Sequence, residues 1–452
     1  HKAILLQPLE EMQLAVNKNA LVIGAGVAGM TAALALGRQG FPVFLIERES
    51  QPGGNFRNIN FSLNGQNPAA FLNSLIEKVK SDKRIELYTN AQIEQMEGYV
   101  GNFKTTVTVR GEQGNRGARE QGSKGAEAVE PGSLELEHGA IIVASGAEEH
   151  QPSEYLYGQD SRVLTQLQLE SLLEEKKEAG EISRLSPTVV MIQCVGSRDE
   201  ERPYCSRVCC TQAVKNALKI KEKNPGTNIY ILYRDIRTYG FREEYYQKAR
   251  EQGVIFIRYD ETEKPKVAKT DGHLGVLIKD LVLGEMLRID TDLLVLSPAM
   301  VSPAGNQDLA QMLKVPLNDD GFFLEAHVKL RPVDFATEGV FVCGLAHAPK
   351  SVEETIAQAN AAASRAATIL AKDFVKVEGK VASVRESRCT GCGMCEEICP
   401  YNAVKVDPER MVAEVNEALC KGCGACSATC RSGAIDIRGF TDSQILAAVE
   451  AF

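Results

Sequence analysis

The sequence predicts an α/β fold that ends in a smaller α+β module, and three observations support this prediction. The first large segment opens with a strand, a glycine-rich turn, a helix and a second strand between Ala20 and Ile46. Another alternation of strands and helices runs from Thr188 to Ile257. The last stretch then holds eight of the thirteen cysteines, as two copies of C-x2-C-x2-C-x3-C. We therefore expect two α/β units followed by a cysteine-rich module.

Length and composition limit the classes of function. A chain of 452 residues is long enough for about two or three domains with substantial cores. Its net charge of −9 and its lack of a basic run argue against nucleic acid as the main partner. No apolar run has transmembrane length and no secretory signal is visible. The cysteines are grouped at metal-ligand spacing rather than spread as a disulfide scaffold, so we expect a cytoplasmic, reducing and oxygen-poor setting. A chain that begins at His1 also leaves room for an upstream segment.

The first strand, turn and helix carry a dinucleotide fingerprint. Gly24, Gly26 and Gly29 form G-x-G-x-x-G between the strand and the helix, and Glu47 closes the next strand. The glycines allow a tight turn and a close approach of a pyrophosphate to the helix N-terminus. The Glu47 carboxylate is placed to accept hydrogen bonds from ribose hydroxyls. We therefore predict a dinucleotide site at this turn.

Three later motifs favour FAD over NAD at this site. They resemble the flavin-binding segments of flavoproteins that have two dinucleotide-binding domains. The first contains Gly53, Gly54 and Asn55, the second contains Ser145 and Gly146, and the third contains Gly344.

The Gly344 motif lies at the end of a predicted strand and precedes a long helix. The helix after Lys350 would point its positive end at N1 and O2 of the flavin ring, which stabilises the reduced, anionic flavin. Leu345 stands where many such flavoproteins carry an acidic residue, so the ribityl contact is expected to be made differently. Cys343 is predicted to be a small buried strand residue rather than a redox group.

Residues 111–132 interrupt the first unit. They are rich in Gly, Glu, Gln and Arg and have almost no apolar content. Such a segment has no face to bury, so we predict a surface loop between two strands.

The second α/β unit lacks a nucleotide fingerprint. In thioredoxin-reductase-like enzymes this unit carries another G-x-G-x-x-G for NAD(P)H. Here four cysteines stand at the corresponding strand-to-helix turn, Cys194, Cys205, Cys209 and Cys210. The last two are predicted at a helix N-terminus, whose field favours thiolates. We hypothesise that the four bind a third [4Fe-4S] cluster, with a redox disulfide and a structural zinc site as the alternatives. Arg198 and Arg207 would offset the charge of this cluster or be solvated.

The two cysteine repeats predict a ferredoxin-like module. Their spacing lets three thiolates of one loop and a fourth from the other repeat bind one cubane cluster. The crossed sets are Cys389, Cys392, Cys395 and Cys430 for one [4Fe-4S] cluster, and Cys420, Cys423, Cys426 and Cys399 for the other. Structural zinc is the alternative, although it more often uses separated cysteine pairs. Arg431 stands where the first repeat has Pro400, and it would offset cluster charge or be solvated.

Taken together, these motifs resemble the flavin-carrying A subunit of heterodisulfide reductase. The resemblance covers essentially the whole chain. It rests on G-A-G-V-A-G, on C-V-G-S-R with the downstream C-S-R-V-C-C, on A-P-K-S-V-E-E-T-I-A-Q-A, and on residues 420–442. Larger family members carry an N-terminal cluster-binding region and an inserted ferredoxin module, and neither is visible here. We therefore expect a compact or truncated relative.

The resemblance implies a thioredoxin-reductase-like flavoprotein with a C-terminal ferredoxin-like module, acting as an oxidoreductase within a complex. FAD would exchange an electron pair with one partner and send single electrons along [4Fe-4S] clusters, with flavin-based electron bifurcation in some members. The implied partners are B- and C-type iron–sulfur subunits, a hydrogenase- or dehydrogenase-linked electron carrier, and ferredoxin. Homodimerisation within the larger complex is also implied.

Lys350 is the candidate for tuning the flavin. A cation near N5 or N1 favours the reduced form, and Lys350 lies just before the helix that should face the ring. A surface lysine is the alternative. His347 is a weaker candidate, for which a packing or surface role is favoured.

Two other functions remain open on the sequence alone. One is a stand-alone NAD(P)H-dependent iron–sulfur flavoprotein oxidoreductase, against which the missing second fingerprint argues. The other is a non-catalytic electron wire or scaffold whose flavin is structural.

The motifs divide the chain into segments of distinct predicted role. These are an N-terminal arm (1–18), the first part of the FAD-binding domain (19–150), a connecting segment (151–185), the second α/β domain (186–300), the return segment of the FAD-binding domain (301–378) and the ferredoxin-like domain (379–452).

Overall fold

The computed structural model describes residues 2–5, 12–110, 126–130, 132–175, 187–377 and 379–450. Most of the predicted loop at 111–132 lies outside these residues. The sequence also predicts a polar helix at about 165–178, and the end of that helix lies outside them as well.

The helices of the described residues are given in chain order. They are α1 (Lys2–Leu5), α2 (Val27–Arg38), α3 (Pro68–Ser81), α4 (Gln166–Glu175), α5 (Cys209–Lys223), α6 (Glu243–Glu251), α7 (Asn306–Leu313), α8 (Val352–Leu370), α9 (Met394–Glu397), α10 (Ala425–Thr429) and α11 (Asp442–Val449).

The strands of the described residues follow the same order. They are β1 (Met12–Ala15), β2 (Ala20–Ile23), β3 (Val43–Ile46), β4 (Ile85–Tyr88), β5 (Ala91–Tyr99), β6 (Asn102–Val109), β7 (Ala126–Glu130), β8 (Ser133–His138), β9 (Ala140–Val143), β10 (Glu148–Glu149), β11 (Val163–Thr165), β12 (Thr188–Val195), β13 (Asn228–Tyr233), β14 (Val254–Arg258), β15 (Lys266–Thr270), β16 (His273–Lys279), β17 (Met286–Thr291), β18 (Leu293–Pro298), β19 (Met300–Val301), β20 (Val340–Val342), β21 (Phe374–Val377), β22 (Ala382–Val384), β23 (Val404–Asp407), β24 (Val412–Val415) and β25 (Ile435–Ile437).

A parallel sheet of order β20-β9-β2-β3-β4 forms the centre of the first unit. Every residue of β2, β3 and β9 is buried, which explains their unbroken aliphatic and aromatic sequences. Helices α2, α3 and α8 cover one face, and the antiparallel sheet β5-β6-β8-β7 packs towards the other. Because the strands are parallel, the turns after β2, β9 and β20 meet at one edge of the sheet.

The second unit has its own parallel sheet, of order β11-β18-β12-β13-β14. Helices α4, α5 and α6 pack on one face, and the antiparallel sheet β15-β16-β17 packs on the other. The segment predicted as a connection, 151–185, therefore contributes β11 and α4 to this unit. The sequence predicts a polar helix at α4, but it does not show on which sheet this helix packs.

Two further predictions need correction. The N-terminal arm contains a strand, since β1 pairs antiparallel with β21 ahead of the cysteine-rich module. The predicted surface loop at 111–132 contains β7, which pairs with β8. In both cases a long-range or neighbouring strand supplies the backbone partners that local composition does not reveal.

The C-terminal module consists of the antiparallel pairs β22–β25 and β23–β24 with α9 and α10 between them. Its terminal helix α11 returns to the start of the chain, where Gln444 Nε2 donates to the Leu5 carbonyl at 2.9 Å. None of the helices in the described residues is long and apolar enough to cross a membrane.

Candidate functional site

The glycine-rich turn after β2 is shaped by backbone contacts. Gly24 has φ +101°, and a Cβ there would lie 2.4 Å from the Ala144 carbonyl oxygen. A Cβ on Gly29 would lie 1.8 Å from the Gly24 oxygen, whereas a Cβ on Gly26 would meet nothing within 4 Å. Gly24 and Gly29 thus permit close packing inside the protein, and Gly26 faces open space at the N-terminus of α2. This turn fits a pyrophosphate.

Glu47 lies directly beside this turn, at the end of β3. Its Oε2 accepts a hydrogen bond from the Ala25 N–H at 2.8 Å, and its Oε1 accepts one from the Glu49 N–H at 3.0 Å. The carboxylate is buried and fixed by two backbone amides. This position suits the ribose contact expected from the sequence.

The Gly53-Gly54-Asn55 motif packs against the glycine-rich turn after β2. The Gly53 N–H donates to the Ala25 carbonyl at 2.8 Å, and Gly53 has φ +123°. A Cβ on Gly54 would lie 3.5 Å from the Gly26 Cα. Asn55 Nδ2 donates to the Ala147 carbonyl at 2.5 Å. The chain after β3 is therefore held against both the first turn and the segment that follows β9.

The Ser145-Gly146 motif contacts Asn306, a residue that the sequence motifs do not identify. Ser145 Oγ donates to Asn306 Oδ1 at 2.9 Å, and Asn306 Nδ2 donates to the Gly321 carbonyl at 3.2 Å. Asn306 is buried at the start of α7. Gly146, with φ +83°, has open space where a Cβ would be. No local sequence signal marks Asn306, because its partner lies 161 positions away.

Gly344 lies in the turn after β20 and packs closely against α2. It has φ +70°, and a Cβ there would lie 2.6 Å from the Ala28 Cβ on α2. The Gly344 N–H donates to Gln358 Oε1 at 3.0 Å. Gln358 on α8 therefore orders the turn that contains Leu345, where an acidic residue is usual in related flavoproteins. The four motifs predicted for FAD converge on one edge of the first sheet.

Lys350 is buried rather than on the surface. Its Nζ donates to the Gly344 carbonyl at 2.6 Å and to the Ala348 carbonyl at 2.7 Å. Burial lowers the pKa of Lys350 to about 8. The alternative of a surface lysine is thus wrong. Cys343, as predicted, is a fully buried residue, and burial raises the pKa of its thiol to about 12.

His347 occupies a polar network beside Lys350. Its Nε2 lies 2.8 Å from Glu325 Oε2, and its Nδ1 lies 2.9 Å from Gln358 Nε2. Since the Gln358 amide can only donate through nitrogen, His347 Nδ1 accepts and Nε2 carries the proton shared with Glu325. Burial, and then the charge of Lys350, lower the pKa of His347.

The turn of the second unit brings its four cysteines together. Cys194 lies near the end of β12, while Cys209 and Cys210 begin α5. Burial raises the pKa of Cys194 to about 11, and the thiolates of Cys210 and Cys205 add to the rise. A hydrogen bond from Cys209 lowers the pKa of Cys210. Cys209 interacts electrostatically with the other three thiols, so the four lie near one another.

The same turn is strained. Cys194, Arg198 and Arg207 all have positive φ, at +62°, +59° and +62°. Non-glycine residues rarely adopt this conformation, and clusters of such residues are typical of functional sites.

Neither arginine of this turn is simply solvated. Arg198 Nη2 donates to Asp235 Oδ2 at 2.7 Å, and the guanidinium also interacts with the Cys194 thiol. Arg207 Nη2 donates to Glu354 Oε1 at 2.6 Å on α8. Two cations therefore lie beside the cysteines, which fits a group with negative charge.

The cysteine-rich module brings the crossed set together. One pocket is lined by four cysteines from both repeats, Cys399, Cys420, Cys423 and Cys426. The Ala403 N–H donates to Cys399 Sγ and the Ala382 N–H to Cys420 Sγ, both at 3.3 Å. Amide donors of this kind are typical of iron–sulfur cluster ligands.

The other crossed set lies in the same buried cluster of residues. Cys389, Cys395 and Cys430 pack within it, and Cys392 is exposed. Backbone amides donate to Cys389 Sγ at 3.3 Å and to Cys430 Sγ at 3.2 Å. Arg431 is exposed.

Glycines shape both cysteine loops. A Cβ on Gly391 would lie 2.6 Å from the Met411 oxygen, and one on Gly422 would lie 2.3 Å from the Lys380 oxygen. Gly393 and Gly424 instead face open space. Across the described residues, no group of three His, Cys, Asp or Glu side chains could hold a single metal ion. A [4Fe-4S] cluster differs from a single ion in that each thiolate binds its own iron atom.

Comparisons with known proteins agree with this arrangement. Residues 22–75 match the family model of an NAD(P)-binding Rossmann-like domain, and residues 388–434 match that of a 4Fe-4S dicluster domain. The chain is 36% identical to a CoB–CoM heterodisulfide reductase iron–sulfur A subunit of Methanopyrus kandleri, over 90% of this chain and 72% of that protein. It is 35% identical to the A subunit of the H2:CoB-CoM heterodisulfide,ferredoxin reductase of Methanothermobacter marburgensis, again over 90% of this chain and 72% of that protein.

Among solved structures, the thioredoxin reductase of Lactococcus lactis in its FR conformation resembles the chain. The TM-score is 0.51 at 16% identity, and the match covers 78% of this chain and 99% of that one. At this identity the likeness supports the fold alone. It agrees with the predicted architecture of two dinucleotide-binding-type domains.

Proposed function

Because the chain belongs to the family of heterodisulfide reductase A subunits, a family of oxidoreductases, we propose that it is the FAD- and iron–sulfur-carrying electron-transfer component of a heterodisulfide-reductase-like complex. One observation carries this proposal. The cysteine-lined turn of the second unit is bonded through Arg207 to Glu354, at the N-terminus of the helix that follows the flavin motif. Thiols thus stand beside the flavin-binding segments, where thioredoxin-reductase-like enzymes bind a nucleotide.

We assign three [4Fe-4S] clusters to this chain. The proposed ligand sets are Cys194, Cys205, Cys209 and Cys210 in the second unit, Cys389, Cys392, Cys395 and Cys430 in the module, and Cys399, Cys420, Cys423 and Cys426 in the module. FAD supplies the conversion between paired and single electrons when bound, and the clusters carry single electrons. The chain contributes amide donors to the thiolates and, at Cys209, the positive end of α5, both of which favour the reduced cluster.

Contacts between the module and the first unit support an order for the two module clusters. Lys314, at the end of α7, interacts electrostatically with Cys399. Lys421 lies 3.6 Å from Glu338, which precedes β20. We infer that the Cys399 set faces the flavin unit and that the Cys389 set faces a partner.

The partners of this protein are proposed from the family. B- and C-type iron–sulfur subunits, a hydrogenase- or dehydrogenase-linked carrier, ferredoxin and a second copy of this chain are the candidates, and bifurcation is a proposed mode of action. Anaerobic purification of the native complex, followed by redox titration of its flavin with each partner present or removed, tests this. A flavin that no partner reduces or oxidises would favour the alternative of an electron wire with a structural flavin.

We predict that Lys350→Met lowers the potential of the flavin. A protonated Lys350 stabilises the reduced, anionic flavin, so its loss should lower the two-electron potential by about 30 mV or more, the equivalent of ~1.4 kcal/mol. Because the pKa of Lys350 is about 8, the difference from wild type should be largest below that pH and shrink as the pH rises through it. Spectroelectrochemical titration at several pH values measures this. Lys372→Met, at an exposed residue just after the C-terminus of α8, is the control and should leave the potential unchanged.

A second prediction separates this function from a stand-alone NAD(P)H oxidoreductase. The turn after β12 holds cysteines in place of a glycine fingerprint, and Gly196 packs against His150. We therefore expect neither NADH nor NADPH to bleach the flavin of the purified chain on a timescale of turnover. Stopped-flow absorbance measures this. Rapid direct reduction would favour the stand-alone function instead.

A further inference from the structure

Arg207 joins the cysteine-lined turn of the second unit to the flavin-facing helix of the first. Its Nη2 donates to Glu354 Oε1 at 2.6 Å, and its Nη1 donates to the Pro349 carbonyl at 3.3 Å. Its Nε donates to the Tyr239 hydroxyl at 3.0 Å. All three nitrogens of the guanidinium are therefore engaged, in three directions. The single ammonium of a lysine cannot reproduce this fork.

The backbone of the same residue is bound to the cysteine set. The Arg207 N–H donates to Cys205 Sγ at 3.3 Å, and the residue has positive φ. The neighbouring residues fix the turn further, because Tyr204 donates to the Met300 carbonyl at 2.8 Å and Ser206 Oγ accepts from the Met300 N–H at 2.9 Å. Met300 begins β19, which pairs with β10 between the two units. The turn is thus attached through Met300 to the strand pair β10–β19, which lies between the two units.

The contact between Arg207 and Glu354 positions the turn relative to α8 more than it adds to the free energy of unfolding. The side chains of Arg207 and Glu354 are 35% and 43% exposed, so solvent screens their attraction. Glu354 also accepts from the Ser351 N–H at 2.9 Å, within the capping box that starts α8. Its carboxylate is therefore held in place before Arg207 binds it. Two ordered elements meet at this contact.

We propose that Arg207 is a positioning residue that sets the distance between the flavin and the cluster of the second unit. This rests on the proposed function, which assigns that cluster to Cys194, Cys205, Cys209 and Cys210. In the step concerned, one electron leaves the reduced flavin and lowers the charge of one [4Fe-4S] core by one, while any released proton goes to solvent. No other bond forms or breaks. The rate of such a transfer falls steeply with distance, so a turn that moves away from α8 slows it.

The experiment uses the anaerobically purified holoprotein. The bound flavin is reduced by flash photoreduction with EDTA as the sacrificial donor, and the bleaching of the clusters is followed. In Arg207→Gln we expect the bleaching rate to fall at least about tenfold, with flavin and iron contents unchanged. Hydrogen exchange of the amides at 350–354 should become faster. Glu354→Gln should act in the same direction from the other side of the contact, and Arg207→Lys should restore only part of the rate.

Arg242→Gln is the matched control. Arg242 Nη2 donates to Glu353 Oε2 at 2.6 Å, so it also joins the second unit to the first turn of α8, but it is not on the cysteine-lined turn. We expect its bleaching rate to stay within about twofold of wild type. An unchanged rate in Arg207→Gln, or an equal loss in Arg242→Gln, would overturn the proposal. An iron content of about eight atoms per wild-type chain would show that the third cluster of the proposed function is absent, and the proposal for Arg207 would fail with it. Iron analysis therefore distinguishes a missing cluster from a cluster that Arg207 does not position.

Discussion

Replacing Cys210 with serine is expected to lower the iron content from about twelve to about eight atoms per chain, since one of three [4Fe-4S] clusters is lost. Cys210 lies in the first turn of α5 and interacts with the thiols of Cys194 and Cys209. A serine hydroxyl is a poor cluster ligand. The bleaching phase that belongs to this cluster should then be missing after photoreduction of the flavin.

Iron and acid-labile sulfide analysis, together with flash photoreduction, measure this loss. Cys343→Ala is the control, because Cys343 is also buried but follows β20 and belongs to none of the three proposed ligand sets. Its iron content should match that of wild type. A wild-type chain that already holds about eight iron atoms would contradict the assignment and leave the disulfide and zinc alternatives for the turn.

The second large effect is expected at the first glycine turn, where two substitutions of the same kind should act differently. Gly29→Ala places a Cβ 1.8 Å from the Gly24 oxygen, so the strand and helix must move apart. We expect a loss of about 3 kcal/mol in the free energy of unfolding. In Gly26→Ala the added Cβ meets no atom of the described residues within 4 Å, and the φ of −73° is one that alanine adopts readily. Its stability without cofactor should stay within about 0.5 kcal/mol of wild type.

FAD affinity should fall in Gly26→Ala, although the stability of this variant is unchanged. The Cβ added at Gly26 would occupy the space that the pyrophosphate approaches, so FAD affinity should fall at least about tenfold, the equivalent of ~1.4 kcal/mol. Denaturant unfolding of the deflavinated chain and fluorescence titration with FAD measure the two quantities separately. Unchanged FAD affinity in a stable Gly26→Ala protein would show that this turn does not hold the dinucleotide.

Much of the architecture follows from local patterns. The βαβ opening, the second α/β unit and the cysteine spacing each depend on residues that lie close together in the chain. The Ala-rich segment after Lys350, for example, predicts a helix at about 352–372, and α8 is found at Val352–Leu370. Weaker patterns failed where partners lie elsewhere. The N-terminal strand, β7, and the assignment of β11 and α4 to the second sheet all depend on strands or helices that a single segment does not specify.

The sequence by itself determined which chemical groups this protein carries. Glycines at fixed spacing are needed where a backbone turns sharply against a phosphate, and cysteines at fixed spacing are needed where one loop wraps a cluster, so both signals are written locally. Only the tertiary structure decided how these groups are arranged. Lys350 is buried against Gly344, Asn306 holds Ser145, and Arg207 reaches Glu354 across 147 positions. Such contacts depend on how separate units pack, and no periodicity or spacing within one segment encodes that packing.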